Sequence, residues 1–136
     1  MNTSRHFRNY MSHYDFTNIK GEYHFVVRDW HKVFDLAKEY GWIPKGTSSN
    51  RIMKSFYGRW DNWDGNYFDF SNQLVDEDDA KNLAKALRAA MKDIPKRRPN
   101  RLSDDLTLLE HWSGSKFRMY LKKFILFCEE GLFIIR

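Results

Sequence analysis

The chain has 136 residues, of which 42% are hydrophobic and 17% aromatic, so it is too apolar for a disordered protein and long enough to bury one core. Its formal net charge is +5, its amino-terminal residues lack the apolar run of a signal peptide, and no segment approaches the ~20 apolar residues that span a bilayer. Because the single cysteine, Cys128, cannot form an intramolecular disulfide, we expect a cytoplasmic protein that does not associate with membranes.

The first part of the chain predicts an arm, a strand and a helix. Residues 1–13 show no periodicity, so we expect a loosely docked arm before a single domain over 14–136. The side chains of 22–27 alternate as they would on the two faces of a half-buried strand. The apolar residues of 29–40 recur at helical spacing, which predicts a helix.

Two residues mark the predicted ends of this helix. Asp29 has a short side chain that can cap the first turn. Gly41 is suited to the left-handed conformation in which helices commonly end. We therefore expect the helix to end immediately before Gly41.

The middle of the chain is irregular and rich in aromatic residues. Seven of the fifteen residues in 56–70 are aromatic. Asp64-Gly65 is a hairpin signal, and 66–70 has the composition of a strand. Pairing across a two-residue turn would place Trp60 opposite Asp69, on conflicting faces, so we expect a longer loop or a bulge.

The strongest helical pattern lies in 76–94. Its apolar residues fall at three- and four-residue spacings and form one stripe, which needs a facing surface. Asp76 is placed to cap the helix, Asp79 occupies the reciprocal capping position, and Pro95 stops the helix. Capping also explains the run of acids at this end better than a catalytic carboxylate cluster does.

Two more helices and a strand are predicted in the last third of the chain. A short helix begins at Ser103, and a longer one, capped by Ser115, extends to about residue 130. Gly131 ends the longer helix, and 132–135 has the composition of a terminal strand.

The order of these elements indicates an α+β fold. We expect a small, mostly antiparallel sheet packed by about three to four helices in one compact domain. The terminal strand is expected to pair with 22–27 or with 66–70.

No motif in the sequence fixes a reaction, and we expect a non-enzymatic protein without a cofactor or a metal. Cys128 follows the apolar stripe of the last helix, which favours a buried structural thiol over a nucleophile. The histidines lack the spacing of a helical zinc site, and the chain has no calcium loop, nucleophile elbow or glycine-rich phosphate loop. A catalytic site is possible only if the fold brings distant residues together, for example His31 or His111 with Asp61 or Asp64.

The main binding candidate is the aromatic segment, represented by Arg59, Trp60, Trp63 and Tyr67. Rings beside a guanidinium can stack on a planar ligand or a base, at about 1–3 kcal/mol per stacked base. The same rings could instead fill a core, although so many in one irregular segment are difficult to bury together. We predict that these residues bind a partner protein or a small planar ligand.

The second binding candidate is a basic connector that contains Lys96, Arg97, Arg98 and Arg101. Residues 92–101 include five basic residues and one acidic residue, which is most of the net charge of the chain. A solvated linker is the simplest interpretation, and the functional alternative is binding of nucleic acid or nucleotide phosphates. Basic residues of the last helix would enlarge this surface if they lay beside the connector.

The predicted class fits small accessory proteins by size alone. Immunity and anti-defence proteins of bacterial and phage conflict systems are binding proteins of this size. An uncovered aromatic face would also favour a dimer.

Overall fold

The computed structural model describes residues 13–18, 21–45, 67 and 73–135 of the chain. Its strands are β1 (His13–Asn18), β2 (Gly21–Val26), β3 (Gln73–Val75) and β4 (Phe133–Ile135). These four strands form one sheet in the order β2-β1-β4-β3, and every neighbouring pair is antiparallel.

The described residues also form four α-helices. They are α1 (Val27–Glu39), α2 (Glu77–Met91), α3 (Leu108–His111) and α4 (Ser115–Glu129). Helix α2 packs against both α1 and α4. The predicted α+β class, a small antiparallel sheet packed by helices, is therefore confirmed.

Three predicted features lie wholly or partly outside the described residues. His13, the last residue of the predicted arm over 1–13, is the first residue of β1, and the rest of the arm lies outside. The hairpin signal at Asp64-Gly65 also lies outside, as does the predicted strand over 66–70 apart from Tyr67.

The core is built around a ring on the central strand β1. Phe16 is completely buried, and its ring lies 5.4 Å from that of Phe133 and 5.9 Å from those of Trp30 and Phe124, measured between centroids. These rings come from β1, β4, α1 and α4, so one aromatic cluster joins the sheet to two helices. Full burial of such a side chain contributes about 1.5–3 kcal/mol to folding.

The pairing predicted for the terminal strand is wrong. Strand β4 lies between β1 and β3, and Phe16 is opposite Ile135. Both edges of β4 are therefore occupied, by strands that the sequence patterns did not reveal. The predicted strand at 22–27, observed as β2, pairs along its full length with β1 at the outer side of the sheet.

The helix ends agree with the sequence where a local signal decides them. Gly41 has a φ of 96° and follows α1, as predicted. Asp76 is the N-cap of α2 and accepts a hydrogen bond from the backbone N–H of Glu77 at 2.9 Å. Helix α2 ends at Met91 instead of continuing to residue 94, because the chain turns before Pro95.

Two predicted caps are wrong. Helix α1 begins at Val27, so Asp29 lies inside its first turn. Helix α4 has Gly114 as its N-cap, with a φ of 86° and no side-chain cap, so Ser115 is already helical.

The short helix predicted from Ser103 is divided into two pieces. A 3-10 turn, Ser103–Asp105, is followed by extended backbone at Leu106. Helix α3 then begins after Thr107, whose hydroxyl accepts the N–H of Glu110 while the Glu110 carboxylate accepts the N–H of Thr107. This reciprocal cap fixes the start of α3.

Candidate functional site

Of the four residues of the aromatic segment predicted to bind a ligand, the structure describes Tyr67. Arg59, Trp60 and Trp63 lie outside the described residues. Tyr67 is 1% exposed, and its ring packs against those of Phe34 and Trp42. Tyr67 is therefore a core residue and does not offer its ring to a ligand.

A buried carboxylate holds Tyr67 in place. Asp79 is 1% exposed, and its Oδ2 accepts a hydrogen bond from the Tyr67 hydroxyl at 2.6 Å. The backbone N–H of Lys45 donates to the two oxygens of the same carboxylate, at 2.9 and 3.1 Å. The Trp42 indole N–H donates to the backbone carbonyl of Asp79 at 3.0 Å. Hydrogen bonds to a buried carboxylate are among the stronger ones in proteins, so the Asp79 carboxylate holds Tyr67 and Lys45 firmly.

The Asp79 carboxylate binds the residues on both sides of the 46–66 segment. Residues 46–66, which include Arg59, Trp60 and Trp63, connect Lys45 to Tyr67. Both of those residues are bound to one carboxylate in the first turn of α2. The residues on either side of the segment are thus held by the same carboxylate.

The basic connector is only partly available for an anion. Arg98 donates from Nη1 to the carbonyl oxygens of His111 at 2.8 Å and Ser113 at 3.3 Å. Its guanidinium also lies 4.1 Å from the centre of the Phe117 ring. Carbonyl groups at the end of α3 need such donors, so Arg98 has a structural role.

A second arginine of the connector is also engaged within the protein. Arg101 forms an ion pair with Glu110. The pKa of Glu110 is lowered, first by the hydrogen bond from the Thr107 backbone and also by the charge of Arg101. Of the four predicted anion-binding residues, Lys96, Arg97 and Arg101 are exposed and Arg98 is half-buried, and Arg101 is already paired with Glu110.

The connector lies beside the first turn of α4. The N–H of Gly114 donates to the carbonyl of Pro95 at 3.2 Å. Arg118 donates from Nη1 to the carbonyl oxygens of Ile94 at 2.8 Å and Met91 at 3.3 Å. The arrangement that would enlarge the basic surface is therefore present, although Arg118 itself is turned toward α2.

Helix α2 carries a line of basic residues that the sequence interpretation missed. Lys81, Lys85, Arg88 and Lys92 are exposed and follow one another at spacings of four, three and four residues. This spacing places them along one side of the helix. Arg88 binds both carboxylate oxygens of Glu129 on α4, one of them at 2.7 Å, so this side borders α4. The same hydrogen bonds lower the pKa of Glu129 and raise that of Arg88.

The outer side of α4 combines apolar and basic residues. Met119 is 59% exposed and Leu126 is 51% exposed. Residues seven apart differ by only about 20° around a helix, so these two side chains form one line. Lys122 and Lys123 are also exposed, and they lie about 40–60° to either side of Met119. We call the surface made by Lys81, Lys85, Arg88, Lys92, Met119, Lys122, Lys123 and Leu126 the α2–α4 face.

The structure contains a histidine–carboxylate pair, but with a different acid from those considered in the sequence. His111 Nε2 lies 3.0 Å from Asp29 Oδ1, and His111 Nδ1 lies 3.5 Å from Lys32 Nζ. The predicted partners Asp61 and Asp64 lie outside the described residues. The His111 residue is 6% exposed, and both of its ring nitrogens already face protein groups. The pair therefore links α1 to α3 and offers no open ring nitrogen for general base catalysis.

Cys128 occupies the structural position predicted for it. Its side chain is completely buried on the inner stripe of α4. Burial, followed by the charge of Glu129, raises the pKa of the thiol well above its ordinary value. A neutral, enclosed thiol is a poor nucleophile.

The described part of the chain lacks two features that would suggest a function. Among residues 13–18, 21–45, 67 and 73–135, no three His, Cys, Asp or Glu side chains are grouped so that they could hold a metal ion. In the same part of the chain, no helix is both long and apolar enough to cross a membrane. Comparisons with protein-family models, with curated proteins and with solved structures found no match to the chain.

Proposed function

We propose that this is a non-enzymatic binding protein that presents the 46–66 segment to a partner protein or a small planar ligand. The contact residues are Arg59, Trp60 and Trp63. One observation supports the proposal most directly: the residues that flank the segment, Lys45 and Tyr67, are both held by the Asp79 carboxylate.

Anchoring of both ends at one point favours binding. Binding residues are commonly carried by connecting segments whose ends are close together on a rigid scaffold. Fixed ends reduce the conformational entropy that the segment loses when it engages a ligand, which strengthens binding without any further contact. Tyr67 contributes to this role as an anchor, because its ring and hydroxyl are buried.

The non-enzymatic part of the proposal depends on residues that are already engaged. The Cys128 thiol is enclosed, and the His111 ring lies between Asp29 and Lys32. The buried Asp79 carboxylate is hydrogen-bonded to its neighbours. We retain a cytoplasmic location in the proposal, because the single cysteine is a free thiol.

A second candidate function is binding of nucleic acid or nucleotide phosphates through Lys96 and Arg97. It is favoured by the position of the connector beside the first turn of α4. It is weakened by Arg98 and Arg101, since both are bound to groups within the protein. Salt dependence separates the two candidates, because phosphate binding weakens steeply as the salt concentration rises.

The test replaces Trp60 and Trp63 by alanine, singly and together. If the two indoles lie at the surface as proposed, thermal stability should change little in these variants, and acrylamide quenching of tryptophan fluorescence should fall. Binding of adenosine, used as a planar probe and followed by the same fluorescence, should be lost. Tyr67→Phe keeps the ring and removes only the anchor hydrogen bond, so it should weaken adenosine binding without abolishing it.

Three results would contradict or redirect the proposal. If the alanine variants unfold the domain, the two indoles are core residues and the proposed surface does not exist. If they fold, and adenosine neither binds the native protein nor discriminates between the variants, a planar ligand is excluded and only a partner protein remains for this segment. Tight binding of a single-stranded oligonucleotide that Lys96→Glu/Arg97→Glu abolishes would favour the second candidate.

A further inference from the structure

We propose that the α2–α4 face is a separate docking surface for an acidic, amphipathic helix of a partner protein. This inference goes beyond the aromatic segment and does not depend on it. It is carried by the combination of two aligned apolar side chains with basic residues on both sides of them.

The apolar part of the face is not an extension of the core. Leu121 and Phe124 are completely buried on the inner side of α4, whereas Met119 and Leu126 are more than half exposed on its outer side. The two exposed side chains lie two helical turns apart, separated by about 10 Å along the axis. Anchors at this spacing are typical of a helix that lies along an apolar surface.

The basic part of the face surrounds these anchors. Lys122 lies on the side of α4 that borders α2, and Lys123 lies on the other side. Lys85 and Lys92 continue the positive charge onto α2. Two acids at this border are paired within the face: Glu129 is bound by Nε and Nη2 of Arg88, and Glu77 lies 3.5 Å from Nζ of Lys81.

Charge complementarity identifies the chemistry of the partner. A helix with two apolar side chains seven residues apart and glutamates beside them would place its acids opposite the lysines. Nucleic acid fits less well, because Met119 and Leu126 lie where its phosphates would have to approach. The five lysines of the face would also speed association by attracting an acidic partner from solution.

The test uses a pair of synthetic helical peptides as probes. A fluorescein-labelled helical peptide carries leucines seven residues apart with flanking glutamates, and a matched peptide has lysine in place of each glutamate. Fluorescence anisotropy with the full-length protein should show binding of the acidic peptide and none of the basic one. Shifts in amide NMR signals should concentrate in 81–92 and 116–130.

Two pairs of substitutions then locate the site. Lys122→Glu/Lys123→Glu should weaken binding of the acidic peptide by at least about tenfold, and more at low salt than at high salt. Met119→Ser/Leu126→Ser should weaken it by a similar factor with little dependence on salt. Lys96→Glu/Arg97→Glu is the matched control, since it makes the same change of charge elsewhere and should weaken binding less than about twofold.

Several results would overturn the inference. These are no binding of the acidic peptide, equal binding of both peptides, or equal weakening by the connector control. Self-association of the native protein that Met119→Ser/Leu126→Ser abolishes would instead assign the face to a second copy of the chain. If the serine variant loses its fold by circular dichroism, the glutamate variant decides alone. Because Trp60 and Trp63 are unchanged in every variant, failure here leaves the function proposed for the aromatic segment untouched.

Discussion

The hydroxyl of Tyr67 donates a hydrogen bond to the carboxylate of Asp79 at 2.6 Å, and both residues are 1% exposed. The same carboxylate accepts the backbone N–H of Lys45. A buried carboxylate is stable only when such donors replace the water that it has lost. The first turn of α2 is therefore bound to Lys45 and Tyr67, the residues on either side of 46–66.

We predict that Asp79→Ala is much more destabilising than Tyr67→Phe. Removal of the carboxylate leaves the buried Tyr67 hydroxyl without this acceptor, at about 1–3 kcal/mol, and it also removes the acceptor of the part-buried Lys45 N–H. Tyr67→Phe removes one hydrogen bond to a charged acceptor and should cost about 1.5–3 kcal/mol. Urea denaturation of both single variants and the double variant measures the coupling between them. Additive losses would show that the two groups do not interact.

The inward position of Asp79 was visible in the sequence, but its role was not. Asp79 lies four residues before Leu83 and eleven before Ala90, on the same stripe of α2 that is buried. Because its neighbours are also acids, the sequence favours a cap for the whole run. Its partners come from 34 residues before it and 12 residues before it in the chain, and no local pattern could identify them.

We predict that Arg98 stabilises the junction between α3 and α4 and contributes little to anion binding. Arg98→Ala removes a charged donor from the carbonyl oxygens of His111 and Ser113, at a cost of about 1.5–3 kcal/mol. Arg98→Lys should recover only part of this, because an ammonium cannot reproduce the planar fork of a guanidinium. Arg97→Ala, at an exposed neighbour, should change the free energy of unfolding by less than about 0.5 kcal/mol. Equal effects at the two positions in urea denaturation would refute the assignment.

Two glycines with similar backbone conformations should respond differently to alanine. Gly41 has a φ of 96° and no atom within 4 Å of an added Cβ, so Gly41→Ala should lose only the backbone term of about 1–2 kcal/mol. Gly114 has a φ of 86°, and its added Cβ would lie 3.3 Å from the Cβ of Arg98. We therefore expect Gly114→Ala to lower the melting temperature more than Gly41→Ala. A larger decrease in melting temperature for Gly41→Ala would mean that the Arg98 side chain moves away easily from an added Cβ at Gly114.

Features that depend on residues close together in the chain could be predicted from the sequence, whereas features that depend on distant residues could not. The end of α1 at Gly41 and the cap of α2 at Asp76 depend on neighbouring residues, and both agree with the sequence. The sheet order depends on Phe16 meeting Ile135 across most of the length of the chain, and it was predicted wrongly. The alternation in β2 reveals a strand but does not specify its partner.

The α2–α4 face depends on both local spacing and a long-range contact. The spacing of Lys81, Lys85, Arg88 and Lys92 contains the signal for one basic side of a helix, although the sequence interpretation missed it. Acids in the first turn of α2 cancel this charge in any sum over the segment, so the net charge conceals it. The neighbour that completes the face, α4, is identified by its packing against α2, which includes the contact between Arg88 and Glu129.

The last prediction concerns the tyrosine hydroxyl that joins the end of α1 to the turn after α2. Tyr40 donates to Asp93 Oδ2 at 2.6 Å, and this hydrogen bond, with burial and the charge of Asp93, raises the pKa of Tyr40 to about 12. Because the folded pKa lies above the ordinary value of about 10, the contact stabilises the fold below pH ~10 and is lost as the pH rises toward 12. Asp93→Asn should lower the pKa of Tyr40 toward its ordinary value. The difference in absorbance at about 295 nm between the protein and its Tyr40→Phe variant isolates this titration from those of the other tyrosines. Asp35→Asn, which removes an exposed acid of the same charge on α1, is the control, and a Tyr40 that titrates near its ordinary pKa before any substitution would contradict the hydrogen bond.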